Sequence, residues 1–209
     1  MPIPVVAVAI TLAAVAGVSY AFSQDVRTRR ALTKRPVTPI RGLRDGEVAR
    51  VRGVVVAGEE LLEAPLSGRK CVYYLARVDE TTGNDNWREA LREERYVDFV
   101  IDDGTDKLSV CMSVPRVAVV HDVKTRSGTF DDANEQEEAL LRRHGMRSTS
   151  LLGLNLSLRY HEGVIAPGEE VTALGRVRSE VRAGKRVLIL DALDDGPLLL
   201  SDDPRAVQG

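Results

Sequence analysis

Tyr96–Met112 reads YVDFVIDDGTDKLSVCM and is the clearest hairpin in the chain. Tyr96 to Ile101 is a strand, Asp102-Asp103-Gly104-Thr105-Asp106 turns the backbone, and Lys107 to Met112 returns. Short valine-rich runs separated by turn residues continue on both sides of it, which predicts an all-β fold.

Upstream, Asp45-Gly46 is a turn signal and Val48 to Val56 a strand, with Gly53 marking a bulge or sharp coil where a sheet closes on itself. Pro65-Leu66-Ser67-Gly68 turns again, and Cys71 to Val78 reads as a strand buried on both faces. Thr81 to Arg95 is a polar excursion, with a short helix expected over Asn86 to Glu94 carrying Trp87. Downstream, Val117 to Val123 is a strand. A surface helix is expected from Ala133 to His144, capped by Asp131 or Asp132 and ended by Gly145. Leu154, Leu156, Leu158 and Tyr160 alternate with polar residues, the period of a half-buried strand. Val171 to Val177 and Val187 to Leu190 are the last strands. The expected fold is therefore mainly antiparallel, an OB-like barrel of about seven to nine strands.

One pattern repeats. Gly46-Glu47 is followed by Gly53 and Val55, and Gly168-Glu169 by Gly175 and Val177 at the same spacing. This predicts two similar strands in a coiled barrel, their glycines serving curvature.

Ile3 to Phe22 contains no charged side chain over twenty residues. As a helix at ~1.5 Å per residue it covers about 30 Å, the hydrocarbon thickness of a bilayer. A buried core helix rarely lacks charge on every face. A cleaved signal peptide competes through Ser19-Tyr20-Ala21, but no positive region precedes the apolar run. The expected organisation is a transmembrane helix over 3–22, a basic juxtamembrane linker over 23–42, a β domain over 43–201 and a flexible tail over 202–209. The linker carries Arg27, Arg29, Arg30, Lys34 and Arg35, which would lie against anionic headgroups. The excess of Lys and Arg on that side predicts an outside amino terminus and a cytoplasmic domain; an exported domain is the alternative.

Ser23 to Arg52 has a net charge of +6, leaving −8 for the remainder of a chain that totals −2. An acidic body argues against a nucleic-acid partner, although Tyr73, Tyr74, Trp87 and Tyr96 are available aromatics. Cys71 and Cys111 fit no metal spacing and read as small buried apolar residues. His121, His144 and His161 share no ligand spacing, and phosphate-loop, dinucleotide, GxSxG and HExxH patterns are absent from the sequence. Asp102, Asp103 and Asp106 lack the spacing of a calcium loop. Glu162 beside His161 reads as structural or exposed. No catalytic residue, cofactor or metal is expected.

Several segments occur in a telling order behind the apolar stretch: Val51–Val55, Ala64–Tyr74, Trp87, Asp103-Gly104-Thr105, Arg159–Glu162 and Pro167–Gly175. In that order they resemble the GIDE, or "beside a membrane", domain of membrane-anchored E3 ubiquitin ligases of mitochondria and chloroplasts. The resemblance spans about Leu43 to Ser201. It marks Gly53, Pro65, Gly68, Cys71, Tyr73, Trp87, Glu162, Gly168 and Gly175 as family positions of structural type. In the ligases a zinc-binding RING carries activity, and two cysteines outside any CxxC cannot build one. The chain resembles the RING-less bacterial members. The resemblance implies a membrane-anchored, non-catalytic interaction or regulatory module with an unidentified protein partner. The alternatives are a ligase-like component by family name and an unrecognised enzyme.

Overall fold

The computed structural model describes residues 25–83, 86–127, 132–149, 156–182 and 184–208. The membrane helix expected over 3–22 lies outside the described residues, as do Asp131, Leu154 and Asn155. Among the described residues no helix is long and apolar enough to cross a membrane.

The chain is mostly β. In order, the first strands are β1 (Val48–Val56), β2 (Leu62–Glu63), β3 (Lys70–Cys71), β4 (Tyr73–Gly83), β5 (Asn86–Tyr96), β6 (Phe99–Asp102) and β7 (Lys107–Val110). There follow β8 (Pro115–Ala118), β9 (His121–Ser127), β10 (Leu158–Ile165), β11 (Glu170–Arg182), β12 (Lys185–Asp191) and β13 (Leu198–Ser201). Residues 25–33 are helical and form α1; α2 is Glu135–Arg143 and α3 Pro204–Val207. Thirteen strands among the described residues replace the seven to nine expected, because only some of them belong to the barrel.

The barrel closes through five strands, β1-β6-β7-β12-β11 and back to β1, with β7 and β12 parallel and the other pairs antiparallel. β1 occupies the residues expected of it. Its Val51 and Val55 point inward with Ile101, Leu108, Val110, Val171, Ala173, Val177 and Leu190. Alternation along each strand puts these side chains on one face, and burying them drives closure.

The repeated pattern proves to be a local two-fold. β1 and β11 lie side by side, with Gly53 opposite Val171 and Gly175 opposite Ala49. Gly46 donates to Val177 O at 2.8 Å, and Gly168 donates to Val55 O at 2.9 Å. Val177 and Val55 donate back to Glu47 O and Glu169 O, each at 2.8 Å. At the next step each strand changes partner: Val54 faces Asp102 of β6, and Arg176 faces Asp191 of β12. A Cβ on Gly53 would sit 2.4 Å from Asp102 O, and one on Gly175 2.3 Å from Asp191 O. Glycine is required where three strands converge at backbone contact distance.

A second layer is the antiparallel sheet β5-β4-β10-β9. The helix expected over Asn86 to Glu94 is instead β5, paired along the whole of β4. Leu91 and Glu93 face inward while Arg88 and Arg92 stay exposed, so the stretch alternates as a strand does. A register shift between Val78 and Asp79 breaks that period and disguises it. Tyr73, Leu75 and Ile165 at one end of this sheet pack into the barrel core. Its other face holds a second core of Tyr74, Ala76, Val78, Leu91, Leu158, Tyr160 and Val164.

α2 covers that core. Asn134, rather than Asp131 or Asp132, caps it: Glu137 N donates to Asn134 Oδ1 at 2.9 Å and Asn134 N to Glu137 Oε2 at 2.9 Å. The helix was expected on the surface, but its Leu140 and Leu141 are fully buried on the sheet. Two adjacent leucines are enough once the partner sheet supplies the remaining apolar area. The single strand expected over Val117 to Val123 is two, β8 and β9, because the chain changes sheets at Val119-Val120.

Neither end of the domain is free. Leu32 of α1 is fully buried with Leu174, Leu199 and Ala206, so residues 25–42 are docked rather than a free linker. The expected flexible tail over 202–209 contains α3, capped by Asp203 with Pro204 in its first turn, and Ala206 and Val207 are buried.

Candidate functional site

Of the positions singled out in the sequence, Pro65, Gly68, Glu162 and Gly168 gather at one structural node. Glu162 of β10 is fully buried, and its carboxylate accepts from Leu66 N at 2.7 Å and Ser67 N at 3.0 Å. It therefore fixes the Pro65–Gly68 turn, whose Gly68 N donates to Ala64 O at 2.9 Å. The next residue, Arg69, pairs with Asp122 at 2.9 Å and with Glu169. Glu169 also accepts from Ala166 N at 3.0 Å, so the turn holding Gly168 is tied to the same node. Gly53 and Gly175 lie apart from it, in the strand crossing.

Cys71 is buried in the second core, and burial, reinforced by the Glu162 charge, pushes its thiol up to about 11. A thiol so protonated is a poor nucleophile. Cys111 is half-buried and also free. Tyr73 is buried and donates to Glu94 Oε1 at 2.9 Å. Burial and the Glu94 charge drive its hydroxyl well above the ordinary tyrosine range. Tyr74 and Arg143 both donate to Glu93 Oε1, and His144 Nε2 lies 2.6 Å from Glu93 Oε2, which fastens the end of α2 to the sheet.

His121 and His161 do meet, with ring centroids 5.6 Å apart, and His161 Nε2 lies 3.3 Å from Asp79 Oδ2. Burial, with Arg77 and His161 nearby, lowers His121 to about 4, so it stays neutral at ordinary pH. Among the described residues no group of three or more His, Cys, Asp or Glu side chains is placed to hold a metal. Trp87 of β5 packs against cations instead, with the Arg159 guanidinium 3.6 Å and Arg126 5.6 Å from its ring centre.

The basic residues of α1 divide in two. Arg29 pairs with Asp203 at 3.1 Å, and Thr28 and Leu32 are buried. Arg27, Arg30 and Lys34 are spaced three and four apart and are exposed on the opposite side of the helix. Arg35 is exposed too and reaches Val48 O at 3.5 Å.

Two positions carry consequences that the sequence reading passed over. Arg50 of β1 is buried, and it donates to Thr172 Oγ1 at 3.1 Å, Arg35 O at 3.0 Å and Ala206 O at 2.7 Å. No carboxylate pairs with it among the described residues. An arginine in the middle of a valine strand was the available signal. Asp202 accepts from Val120 N at 2.9 Å where the chain changes sheets, and burial raises its carboxyl to about 7.

The barrel face of β6 and β7 is bordered by Glu59, Glu60 and Asp98, with Val100, Ser109 and Cys111 in its groove. Lys107 there lies 3.8 Å from Asp102. Such a surface supplies neither the basic groove nor the aromatic platform of a single-strand binder.

Comparison of the chain with protein-family models, with characterised proteins and with solved structures finds no match. A functional reading therefore rests on the geometry above.

Proposed function

We propose that the chain is a single-pass membrane protein whose β domain, of the GIDE type and built on an OB-like barrel, is a non-catalytic interaction and regulatory module at the cytoplasmic face. Taken in chain order, the five barrel strands run first, second, third, fifth, fourth around the circuit, a Greek-key order consistent with an OB-like barrel. The observation that carries the proposal is the two-faced α1. Its inner side is docked on the domain, while Arg27, Arg30 and Lys34 stand exposed a few residues after an uncharged stretch of bilayer length. Each such cation contributes about 1 kcal/mol near an anionic surface. Arg29 is spent on Asp203 and adds less. Because α1 is docked, the domain is held close to the lipid with little freedom to swing.

The high-pKa Cys71 thiol and the neutral His121 support a binding role over a catalytic one. Ubiquitin transfer is not part of this reading, since two cysteines cannot furnish a RING. Three measurements test it. The chain should stay with membranes through alkaline carbonate extraction, and a C-terminal alkaline phosphatase fusion should be inactive. An active fusion would place the domain on the other side and refute the cytoplasmic assignment. Crosslinking in solubilised membranes should capture one stoichiometric protein partner; turnover of a small substrate with no partner would favour an enzyme.

A further inference from the structure

The outward face of the four-stranded sheet projects beyond the part that packs on the barrel. Strand register aligns Arg92, Arg77, His161 and Lys124 in one row across β5, β4, β10 and β9. The next row is Glu89, Asp79, Arg159 and Arg126, and Trp87 lies beyond it opposite Thr81. The acids of this face are committed: Asp79 to Arg77 at 3.1 Å and His161 at 3.3 Å, Glu89 and Glu94 to Arg92 at 3.9 and 3.5 Å. Lys124, Arg126 and Arg159 form no ion pair among the described residues. Arg159 Nε and Trp87 Nε1 are buried without a hydrogen-bond partner. The overall acidity of the domain thus conceals a local surplus of positive charge around its single tryptophan.

We propose that this face, with Lys124, Arg126 and Arg159 around Trp87, docks on an anionic lipid surface. The proposal rests on the membrane anchoring argued above and adds a second contact to that made by the exposed side of α1. Three features favour a bilayer as occupant. Unpaired cations complement phosphate-bearing headgroups. A half-buried tryptophan suits the polar–apolar boundary of a membrane. The face also adjoins the point from which the apolar stretch departs, since Asp25 at the start of α1 lies near enough to Arg92 and Arg77 to feel their charge.

The lone tryptophan makes the test direct. The full chain is reconstituted with vesicles of phosphatidylcholine alone or with added phosphatidylserine, and flotation and Trp87 emission are both recorded. Phosphatidylserine should shift Trp87 emission to the blue and expose it to quenching by brominated lipid. Salt, K124Q and the K124Q/R126Q pair should each remove the shift while the chain still floats. Flotation with both vesicles and an unchanged Trp87 would overturn the docking face and leave the anchor standing. Flotation only with phosphatidylserine, accompanied by the shift, would keep the face and remove the anchor. No flotation with either would remove both. A shift produced by a short oligonucleotide in detergent, and not by phosphatidylserine, would assign the face to nucleic acid and refute the proposal.

Discussion

The amide of Gly46 donates to the carbonyl of Val177 at 2.8 Å, and this one bond joins the two copies of a repeated sequence pattern across a pseudo-two-fold. Its mate, Gly168 to Val55 at 2.9 Å, closes the other end of the same ladder. Between them lie two glycines that each admit a third strand.

Replacing either of those glycines should therefore be costly. In Gly53→Ala or Gly175→Ala the new methyl group meets a backbone carbonyl, Asp102 O at 2.4 Å or Asp191 O at 2.3 Å, which cannot rotate away. Each should lose about 1–3 kcal/mol, as overpacking does. Gly42→Ala, with nothing within 4 Å, should be near neutral. Chemical denaturation of the full chain in detergent measures the contrast; equal midpoints for the three variants would contradict it.

Arg50→Met keeps the bulk and removes three donors. Arg35 O and Ala206 O then lose their buried partner, which should cost roughly 3 kcal/mol. Limited proteolysis should cut near residues 25–39 and 203–208 sooner than in the parent chain, with the barrel fragment surviving. Unchanged cleavage at both ends would show that Arg50 does not hold them.

Glu162→Gln replaces one acceptor oxygen with an NH2 group, which cannot accept from the second of the two amides of Leu66 and Ser67. A loss of about 2 kcal/mol is expected from the unsatisfied pair. The loosened turn should also uncover Cys71, so thiol labelling of the native chain should speed up. Labelling at the parental rate would count against Glu162 as the lock on that turn.

Asp202 gives a pH signature. Its carboxyl stands near 3.8 when unfolded and about 7 in the fold, so between those values the folded chain binds the extra proton. Stability is then full below pH 4 as far as this group is concerned, falls as pH rises and is lost above about 7. Asp202→Asn should flatten that fall and be more stable than the parent at pH 8, on the order of 2 kcal/mol. Melting curves taken between pH 5 and 8 would disprove this by moving in parallel.

What could be read from the sequence followed the strength of local signals. β1 was legible residue for residue because a run rich in β-branched residues follows the Asp45-Gly46 turn signal, and the 102–106 turn because its residues are diagnostic. The crossing of β1 and β11 was foreshadowed by the spacing of Gly53 and Gly175, although only the fold shows that each copy of the pattern binds the other. β5 was misread because Glu and Arg favour helices in isolation, and its register shift hides the period of two. α3 had a readable start in Asp203-Pro204, but four residues are too few for a periodic pattern. The split of the β content into barrel and separate sheet depends on long-range pairing, which no local window contains. At the site, Glu162 was singled out by its neighbours. Its two amide partners lie some 95 residues earlier in the chain and were invisible.

The two docked helices also determine how the molecule carries load. α1 arrives and α3 leaves on a common patch, joined by Arg29 to Asp203 and by the Arg50 bonds. A pull between the start of α1 and α3 is applied across that patch first, and reaches the barrel ladders only after the patch has parted. Mechanically the domain is a clasp: tension opens the junction of its ends, while the closed circuit of strands stays intact behind it.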